Sequence, residues 1–248
     1  MKHELFEAQS LYSQKLFDEL NFKISEMGFN GVLYSFYPKP MYMNKTIQPV
    51  LHYSDSLSPF IAHYIENNYG NSDFVLRLAL EGRSEPVDWW HEVHHGGVSR
   101  AEKRVTEDAR RYFNIQHGLS IPVLFGTFAI AGISVISHNP DEAYFQRLKN
   151  KSINKLRKLA TQYHSEIIKS TKELNYFILP LLENLTPTKR KVIKHLLSGH
   201  PMKRIEEIYG IKQKYAEKVL ADIRQEFGGI SANELIYILG MINIIEYL

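Results

Sequence analysis

Hydrophobic positions in the last quarter of the chain recur at helical spacing and predict a compact unit of four helices. Thr186-Pro187 predicts the start of the first helix, because threonine caps a helix and proline suits its first position. This helix is predicted to end at Gly199. Three further helices are predicted over residues 201–209, 212–227 and 232–245. A helix, a glycine turn and another helix at this spacing are typical of a helix-turn-helix.

Two of these helices have distinct inward and outward faces. The second is predicted to turn Ile205 and Ile208 inward. In the third, the helical period predicts a buried stripe of Ala216, Val219, Leu220, Ile223 and Phe227, and an outward face of Lys214, Glu217, Lys218, Ala221 and Gln225. Long polar side chains around one small residue suit the major groove of DNA, although an ordinary solvated face gives the same pattern. The residues around it that suit phosphates are Lys203, Arg204, Lys212 and Arg224.

The rest of the chain shows a mixed helical and alternating pattern. Helices are predicted over residues 4–27, 58–69, 73–81, 99–113 and 141–172, and strands over 32–37, 46–53, 119–125 and 128–136. Pro49 confines the second strand to an edge of its sheet, and Trp89-Trp90 opens a histidine-rich turn. The predicted fold is α+β. An N-terminal α/β/α sandwich on an antiparallel sheet (1–173) is followed by a linker (174–184) and an all-α four-helix helix-turn-helix domain (185–248).

Composition and charge narrow the class of protein. The 248 residues include no segment of roughly 18 uncharged apolar residues, so no membrane span is expected. The absence of cysteine excludes disulfides and thiolate chemistry, and it fits a reducing cytoplasm. The whole chain carries a net charge of +3, whereas Leu185 to Arg224 holds ten Lys or Arg against four Asp or Glu, a net charge of +6. This concentration of positive charge favours phosphate binding by the helical unit.

One short motif suggests an enzyme. His91-Glu92-Val93-His94-His95 contains the H-E-x-x-H pattern, which on a helix places two imidazoles on zinc beside a carboxylate base. Gly96-Gly97 ends any helix directly after the second ligand, and no residue is singled out as a third ligand. A zinc hydrolase using His91, Glu92 and His95 is therefore a remote alternative, and no metal, cofactor or enzymatic activity is expected.

The C-terminal run resembles, over its full length, the DNA-binding domain of the LuxR family of bacterial regulators. The resemblance rests on Leu185-Thr186-Pro187, Val192, Gly199, Ile205, Ile208, Gly210-Ile211, Leu220, Ile223 and Gly228. It implies a DNA-binding unit. With the outward face and the basic residues around it, the predicted DNA contacts are Lys203, Arg204, Lys212, Lys214, Glu217, Lys218 and Arg224.

Departures from the family pattern fall in two helices of this unit. Lys189 stands where an acidic residue usually completes a capping box with Thr186, and it puts a cation at the positive end of the helix. In the third helix, Tyr215-Ala216 replaces a Thr-Val pair, Glu217 replaces a basic residue and Val219 replaces a histidine. We expect the fold to persist and the target sequence to differ.

The N-terminal domain resembles the autoinducer-binding domain of the same family. The residues that carry this resemblance are Tyr53, Phe60, Tyr64, Asp73, Trp89 and Gly118. It implies a pocket for N-acyl homoserine lactones in which Asp73 accepts the ligand's amide N–H, Tyr64 donates to the acyl carbonyl, and Trp89 and Tyr53 form aromatic walls, with a further hydroxyl from Ser120. Taken singly, each residue also suits a core position, and Asp73 also suits a helix cap.

Phe60 and Phe74 depart from the pocket pattern. The family carries tryptophan where Phe60 stands, and the lost indole N–H costs about 1–3 kcal/mol where it leaves a buried acceptor unpaired. Phe74 replaces a proline that usually follows the aspartate. A signal with a different head group is therefore as suitable as an acyl homoserine lactone.

Together these features predict a cytoplasmic, homodimeric, signal-responsive regulator that binds a small molecule and double-stranded DNA. Two apolar stripes are the expected pairing surfaces: Ile153, Leu156 and Leu159 in one helix, and Leu235, Ile238, Leu239 and Ile242 in another. The alternative is an interaction partner that pairs with another regulator and antagonises it without contacting DNA, because Lys189, Glu217 and Val219 depart from the DNA-binding pattern.

Overall fold

The computed structural model describes the backbone of residues 2–37, 50–125, 129–169, 185–226 and 229–241. These residues form two compact units, one made of 2–36 and 50–169 and the other of 185–241. The predicted linker, Pro49, Phe227 and the side chains of Ile238 and Ile242 lie outside the described residues.

The first unit is built on a five-stranded sheet. Its strands are β1 (Gly31–Tyr37), β2 (Val50–Tyr53), β3 (Val87–Asp88), β4 (His117–Leu124) and β5 (Ile130–Ser137), in the order β2-β1-β5-β4-β3. The pairs β1–β2, β3–β4 and β4–β5 are antiparallel. The predicted edge position of β2 is confirmed, and the two-residue strand β3 is one that the sequence pattern did not predict.

Helices cover both faces of this sheet. The helices are α1 (Lys2–Ser25), α2 (Ser58–Glu66), α3 (Phe74–Leu80), α4 (Trp89–His95), α5 (Arg100–Phe113) and α6 (Glu142–Lys169). Helix α6 contacts α1, β4 and β5, while α3 and α4 contact the sheet and α5 packs against α2 and α4. Successive strand residues alternate between faces, so large apolar residues such as Tyr34 and Ile133 are buried beside the smaller Ser35 and Ser134.

The second unit is helical throughout its described residues. Its helices are α7 (Pro187–Leu197), α8 (Ile205–Tyr209), α9 (Gln213–Glu226) and α10 (Ala232–Met241), with a 3₁₀ turn over Met202–Arg204. Thr186 caps α7 by accepting from the backbone N–H of Lys189 at 3.3 Å. Gly210 ends α8 in the left-handed conformation (φ 68°), which glycine adopts without a steric cost. Three residues of the predicted stripe of α9 are buried, Ala216, Val219 and Ile223, whereas Leu220 is only partly buried.

Three predictions about local structure are wrong. The histidine-rich turn is helix α4, because the Asp88 side chain accepts from the backbone N–H of His91 and so caps a helix there. Ile208 is 40% exposed rather than inward, since α8 is little more than one turn and only Ile205 is buried in it. Leu235 and Leu239, together with Leu156 of α6, are fully buried within the chain.

Much of the two apolar stripes therefore belongs to the hydrophobic core, and these buried residues are not available to pair with a second copy of the chain. The homodimer loses that support and stays a prediction. Within the described part of the chain, no helix combines the length and the apolar character needed to cross a bilayer.

Candidate functional site

Asp73 lies at the junction between α2 and α3, where both of its oxygens accept hydrogen bonds. One oxygen accepts from the backbone N–H of Val75 at 2.8 Å and caps α3. The other accepts from the Tyr64 hydroxyl at 2.7 Å. Burial raises the pKa of Asp73, and these two hydrogen bonds oppose the rise. Asp73 thus has the capping role, and its side chain is bonded directly to that of Tyr64.

Trp89, Gly118 and Ser120 form a second group of the predicted residues. The Trp89 indole N–H donates to the Ser120 hydroxyl at 2.8 Å, and Ser120 shares a hydrogen bond of 2.7 Å with Ser134 on β5. The indole lies flat against the backbone at Gly118, where an added Cβ would stand 2.2 Å from the ring. Gly118 is required because any side chain there would displace the tryptophan.

A small pocket with a cavity volume of about 30 Å³, open to solvent on one side, lies between the sheet and α3. Its polar lining residues are the three serines Ser35, Ser120 and Ser134. The other lining residues are apolar or small: Val75, Leu76, Ala79, Ile121, Pro122, Ile130, Ala131, Gly132 and Ile133. Among the described residues, the lining therefore includes no charged side chain, and its hydroxyls lie on the sheet side.

The hydroxyl groups of Ser120 and Ser134 retain one O–H donor that the hydrogen bonds among Trp89, Ser120 and Ser134 do not use. Trp89, Ser120 and Ser134 contribute three donors, and the two hydrogen bonds among them consume two. One serine hydroxyl hydrogen is therefore left to donate elsewhere, whichever serine donates to the other. In a pocket, such a donor suits a carbonyl oxygen.

Of the seven predicted ligand contacts, all of them described by the structure, Ser120 alone lines this pocket, and Phe60 and Tyr53 belong to neither of the two groups above. Phe60 is buried in an apolar cluster, with its ring 5.6 Å from that of Phe113 and 6.0 Å from that of Tyr64. Tyr53 is 36% exposed on the edge strand β2. Tyr64 and Trp89 both pack against the cluster that contains Phe60, so one apolar core connects the two groups.

Sequence reasoning missed the pocket residues Ser35, Ser134, Val75, Leu76 and Ala79. The two serines carry a signal, because each is a hydroxyl residue inside an otherwise apolar strand. The three residues of α3 resemble ordinary core positions, so their place at the pocket follows from the packing of α3 against β4 and β5.

The opposite face of the sheet holds two buried histidine–tyrosine pairs. The Tyr34 hydroxyl bonds His164 Nδ1 at 2.9 Å, and the Tyr163 hydroxyl bonds His52 Nδ1 at 2.6 Å. Burial lowers the pKa of His52 to about 4 and also lowers the pKa of His164. Both imidazoles are therefore neutral at pH 7, in contact with aromatic rings.

The outward face predicted for the third helix of the second unit is exposed on α9. Its five residues, Lys214, Glu217, Lys218, Ala221 and Gln225, are all exposed, as are Lys203, Arg204 and Lys212. Two of the predicted phosphate contacts are engaged within the unit. Arg204 pairs with Glu207 at 3.1 Å, and Arg224 donates to the carbonyl of Ile230 at 2.6 Å.

Lys189 has a partner that the sequence pattern did not predict. Its ammonium group lies 2.5 Å from Glu226, and both side chains are less than one quarter exposed. This salt bridge joins the first turn of α7 to the last turn of α9. It compensates for the unfavourable cation at the start of α7, because Glu226 supplies the negative charge there.

The His91 motif does not assemble a metal site in the structure. The Glu92 carboxylate is buried and pairs with Arg83 at 2.7 Å, and the exposed His91 and His95 rings stack on each other 4.8 Å apart. Across the described residues, no group of three or more His, Asp or Glu side chains could hold a metal ion.

Comparison with known proteins gives a family and a fold. The family model of the autoinducer binding domain matches residues 13–167. Escherichia coli SdiA has a similar structure, with 10% identity and a TM-score of 0.54 over 94% of this chain and 92% of that chain. The LuxR-family factor CepR2 of Burkholderia cenocepacia aligns at 15% identity and a TM-score of 0.45, over 65% of this chain and 91% of that chain. A comparison with curated proteins found no match.

Proposed function

Because the chain belongs to the autoinducer-binding family of LuxR-type signal-binding regulators, which are not enzymes, we propose that it is a signal-responsive transcriptional regulator. A small molecule bound in the first unit controls DNA binding by the second. The signal stabilises one of two states and so shifts a population between them. We place the regulator in the cytoplasm as a homodimer, in line with its lack of cysteine and the symmetry usual for DNA-binding dimers.

The pocket between the sheet and α3 is the observation that carries the proposal. Its apolar walls and serine hydroxyls favour an uncharged ligand that has an apolar body and a carbonyl acceptor, because a charged group would be buried there without a counter-ion. An acyl homoserine lactone or a related acyl signal has this chemistry, and the pocket has to widen to admit it, because its cavity volume is about 30 Å³. Ser120 is the predicted ligand contact that belongs to the lining. Its hydroxyl accepts a hydrogen bond from the Trp89 indole, which packs against the backbone at Gly118.

The proposed roles of Asp73 and Tyr64 require an exchange of hydrogen bonds. The Tyr64 hydroxyl has a single hydrogen, which it donates to Asp73. For Tyr64 to donate to an acyl carbonyl, a ligand N–H has to replace the tyrosine at the carboxylate. Phe60 and Tyr53 would add apolar and aromatic contact, and Phe60 offers no donor to a head group.

Ligand binding can be tested on the purified full-length chain by native mass spectrometry and thermal unfolding. We expect N-octanoyl homoserine lactone or octanamide to form a 1:1 complex and raise the Tm, and octanoate to do neither at the same concentration. Octanamide binding without the lactone would indicate a different head group. Binding of octanoate alone would contradict a pocket for uncharged ligands.

For the second unit, we propose that α8 and α9 form a helix-turn-helix whose outward face contacts DNA. The exposed Lys214 and Lys218, with Lys203 and Lys212 nearby, supply positive charge for phosphates. Ala221 allows close approach to base edges. Arg204 and Arg224 would act while retaining or exchanging their bonds to Glu207 and Ile230.

Fluorescence anisotropy with a random-sequence duplex tests DNA binding by the full-length chain. We expect Lys214→Ala/Lys218→Ala to weaken binding at low salt and to reduce the slope of log K against log salt by about two. The control is Lys15→Ala/Lys23→Ala, which removes the same charge from exposed positions of α1 and leaves the slope unchanged.

One observation favours the alternative function as an antagonist of another regulator. Glu217 exposes a carboxylate on the face proposed for DNA, and phosphates repel it. If the wild-type chain binds no duplex at low salt, the interaction partner replaces the DNA-binding regulator as the function.

A further inference from the structure

Gln213 and Glu217 form a side-chain pair at the start of α9. The Gln213 amide donates to Glu217 Oε1 at 2.7 Å, one helical turn away, and both residues are exposed. A carboxylate accepts up to about four hydrogen bonds, so Glu217 Oε2 keeps its acceptor capacity. The pair thus holds a carboxylate in a defined orientation on the outward face of the helix.

Glu217 differs from Glu207, Glu226 and Glu234 in having a neutral partner, and it differs from the exposed Glu206 and Asp222 in being held by a hydrogen bond from a neighbouring side chain. Glu207 pairs with Arg204, Glu226 pairs with Lys189, and Glu234 caps α10 by accepting from the backbone N–H of Ser231. Among the described residues, no salt bridge includes Glu217, and its printed partner is the neutral Gln213 amide. Its negative charge is therefore not neutralised by an ion pair, although Lys214 and Lys218 lie on the same face.

A carboxylate at this place weakens attraction to phosphates, so its contribution to DNA binding has to come from a base. In the major groove, the N4 amino group of cytosine is the donor that a Glu carboxylate accepts from. The first turns of the second helix in a helix-turn-helix are those that contact base edges. We propose that Glu217, positioned by Gln213, determines specificity by accepting a hydrogen bond from a cytosine amino group.

This inference rests on the proposed DNA binding by the second unit. It assigns Glu217 to discrimination between sequences and Lys214 and Lys218 to general affinity. Removing the carboxylate should therefore raise affinity for random duplex slightly, because a repulsive charge is lost, while preference at one base pair is lost.

Selection from a randomised duplex library, followed by sequencing, tests the assignment on the full-length chain. We expect the wild type to select cytosine at one position of each half-site and to prefer it by about fivefold to a hundredfold over the other bases. Glu217→Gln should shift that position towards adenine, since a glutamine amide pairs with adenine N6 and N7. Glu217→Ala should select no base there, and Gln213→Ala should retain cytosine with a reduced preference.

Asp222→Asn is the matched control. It removes one negative charge from an exposed position of the same helix, about 140° around the axis from Glu217, and should leave the selected sequence unchanged. The inference is overturned if the wild type shows no base preference, or if both Glu217 variants select the same base as the wild type. An absence of duplex binding at low salt overturns the proposed DNA binding as well, so the two failures are distinguishable.

Discussion

The two units use polar side chains in opposite ways. In the first unit, the polar groups of the proposed site bond one another: Tyr64 to Asp73, and Trp89 to Ser120 and Ser134. In the second, the polar residues on the outward face of α9, Lys214, Glu217, Lys218 and Gln225, are exposed. The residues of the first site therefore also stabilise the fold of their unit. The residues of the second site lie on the exposed face of α9, and other residues of that helix form the core.

This difference predicts how each unit responds to substitution. Changes in the first site should alter stability and ligand binding together, because they leave buried partners unpaired or overpacked. Changes on the exposed face of α9 should alter DNA binding and leave unfolding within about 0.5 kcal/mol of the wild type. The two tryptophans lie in the first unit, so their fluorescence reports the unfolding of that unit alone.

The largest effect is expected at Gly118. Gly118→Ala places a Cβ within 2.2 Å of the Trp89 indole, and overpacking of this kind should lower the free energy of unfolding by about 3 kcal/mol. Denaturant unfolding followed by tryptophan fluorescence measures it. Gly70→Ala is the control, because an added Cβ there makes only ordinary contacts with Tyr64. Unfolding of Gly118→Ala at the wild-type midpoint would disprove the close contact between indole and backbone.

The next effect is a pH dependence of the stability of the first unit, which contains His52 and His164. Burial lowers the pKa of His52 to about 4 in the folded state from 6.5, so its contribution to stability is complete above pH 6.5. As the pH falls from 6.5 to 4, the unfolded state takes up the proton first, and the free energy of unfolding should fall by about 3 kcal/mol. His164 contributes in the same direction.

Fluorescence-monitored unfolding between pH 7 and pH 4 tests this dependence. The free energy of unfolding of His52→Gln should fall less steeply with decreasing pH than that of the wild type, because glutamine does not titrate in this range. Glutamine also keeps a polar group near Tyr163. Parallel curves for the two proteins would show that His52 takes up its proton equally in both states.

The smallest effect is expected at the salt bridge between Lys189 and Glu226, which is largely buried, unlike the exposed polar residues of α9. Lys189→Glu puts a carboxylate beside Glu226 and should destabilise the unit by about 1 kcal/mol. Lys189→Glu/Glu226→Lys should restore stability, and the new glutamate can complete a capping box with Thr186. Far-UV circular dichroism follows this unfolding. A double variant no more stable than the single one would contradict the pairing.

The sequence alone determined much of the local structure. Thr186 caps α7, as the Thr-Pro pair predicts, and Ala216, Val219 and Ile223 are buried, as the helical period predicts. These features depend on residues three or four apart, so the pattern of the chain contains the information. The same period predicted the outward face of α9, and the resemblance to a known family predicted the sensor fold that the family model confirms.

Only the tertiary structure decided which residues meet across long separations. The pairing of strands brings Ser120 beside Ser134, and the packing of helices brings Lys189 to Glu226 and His52 to Tyr163. It also decided that Leu156, Leu235 and Leu239 belong to the core rather than to a pairing surface. A period of apolar residues tells which side of a helix avoids water, but it does not tell what covers that side, because the partner comes from a distant part of the chain.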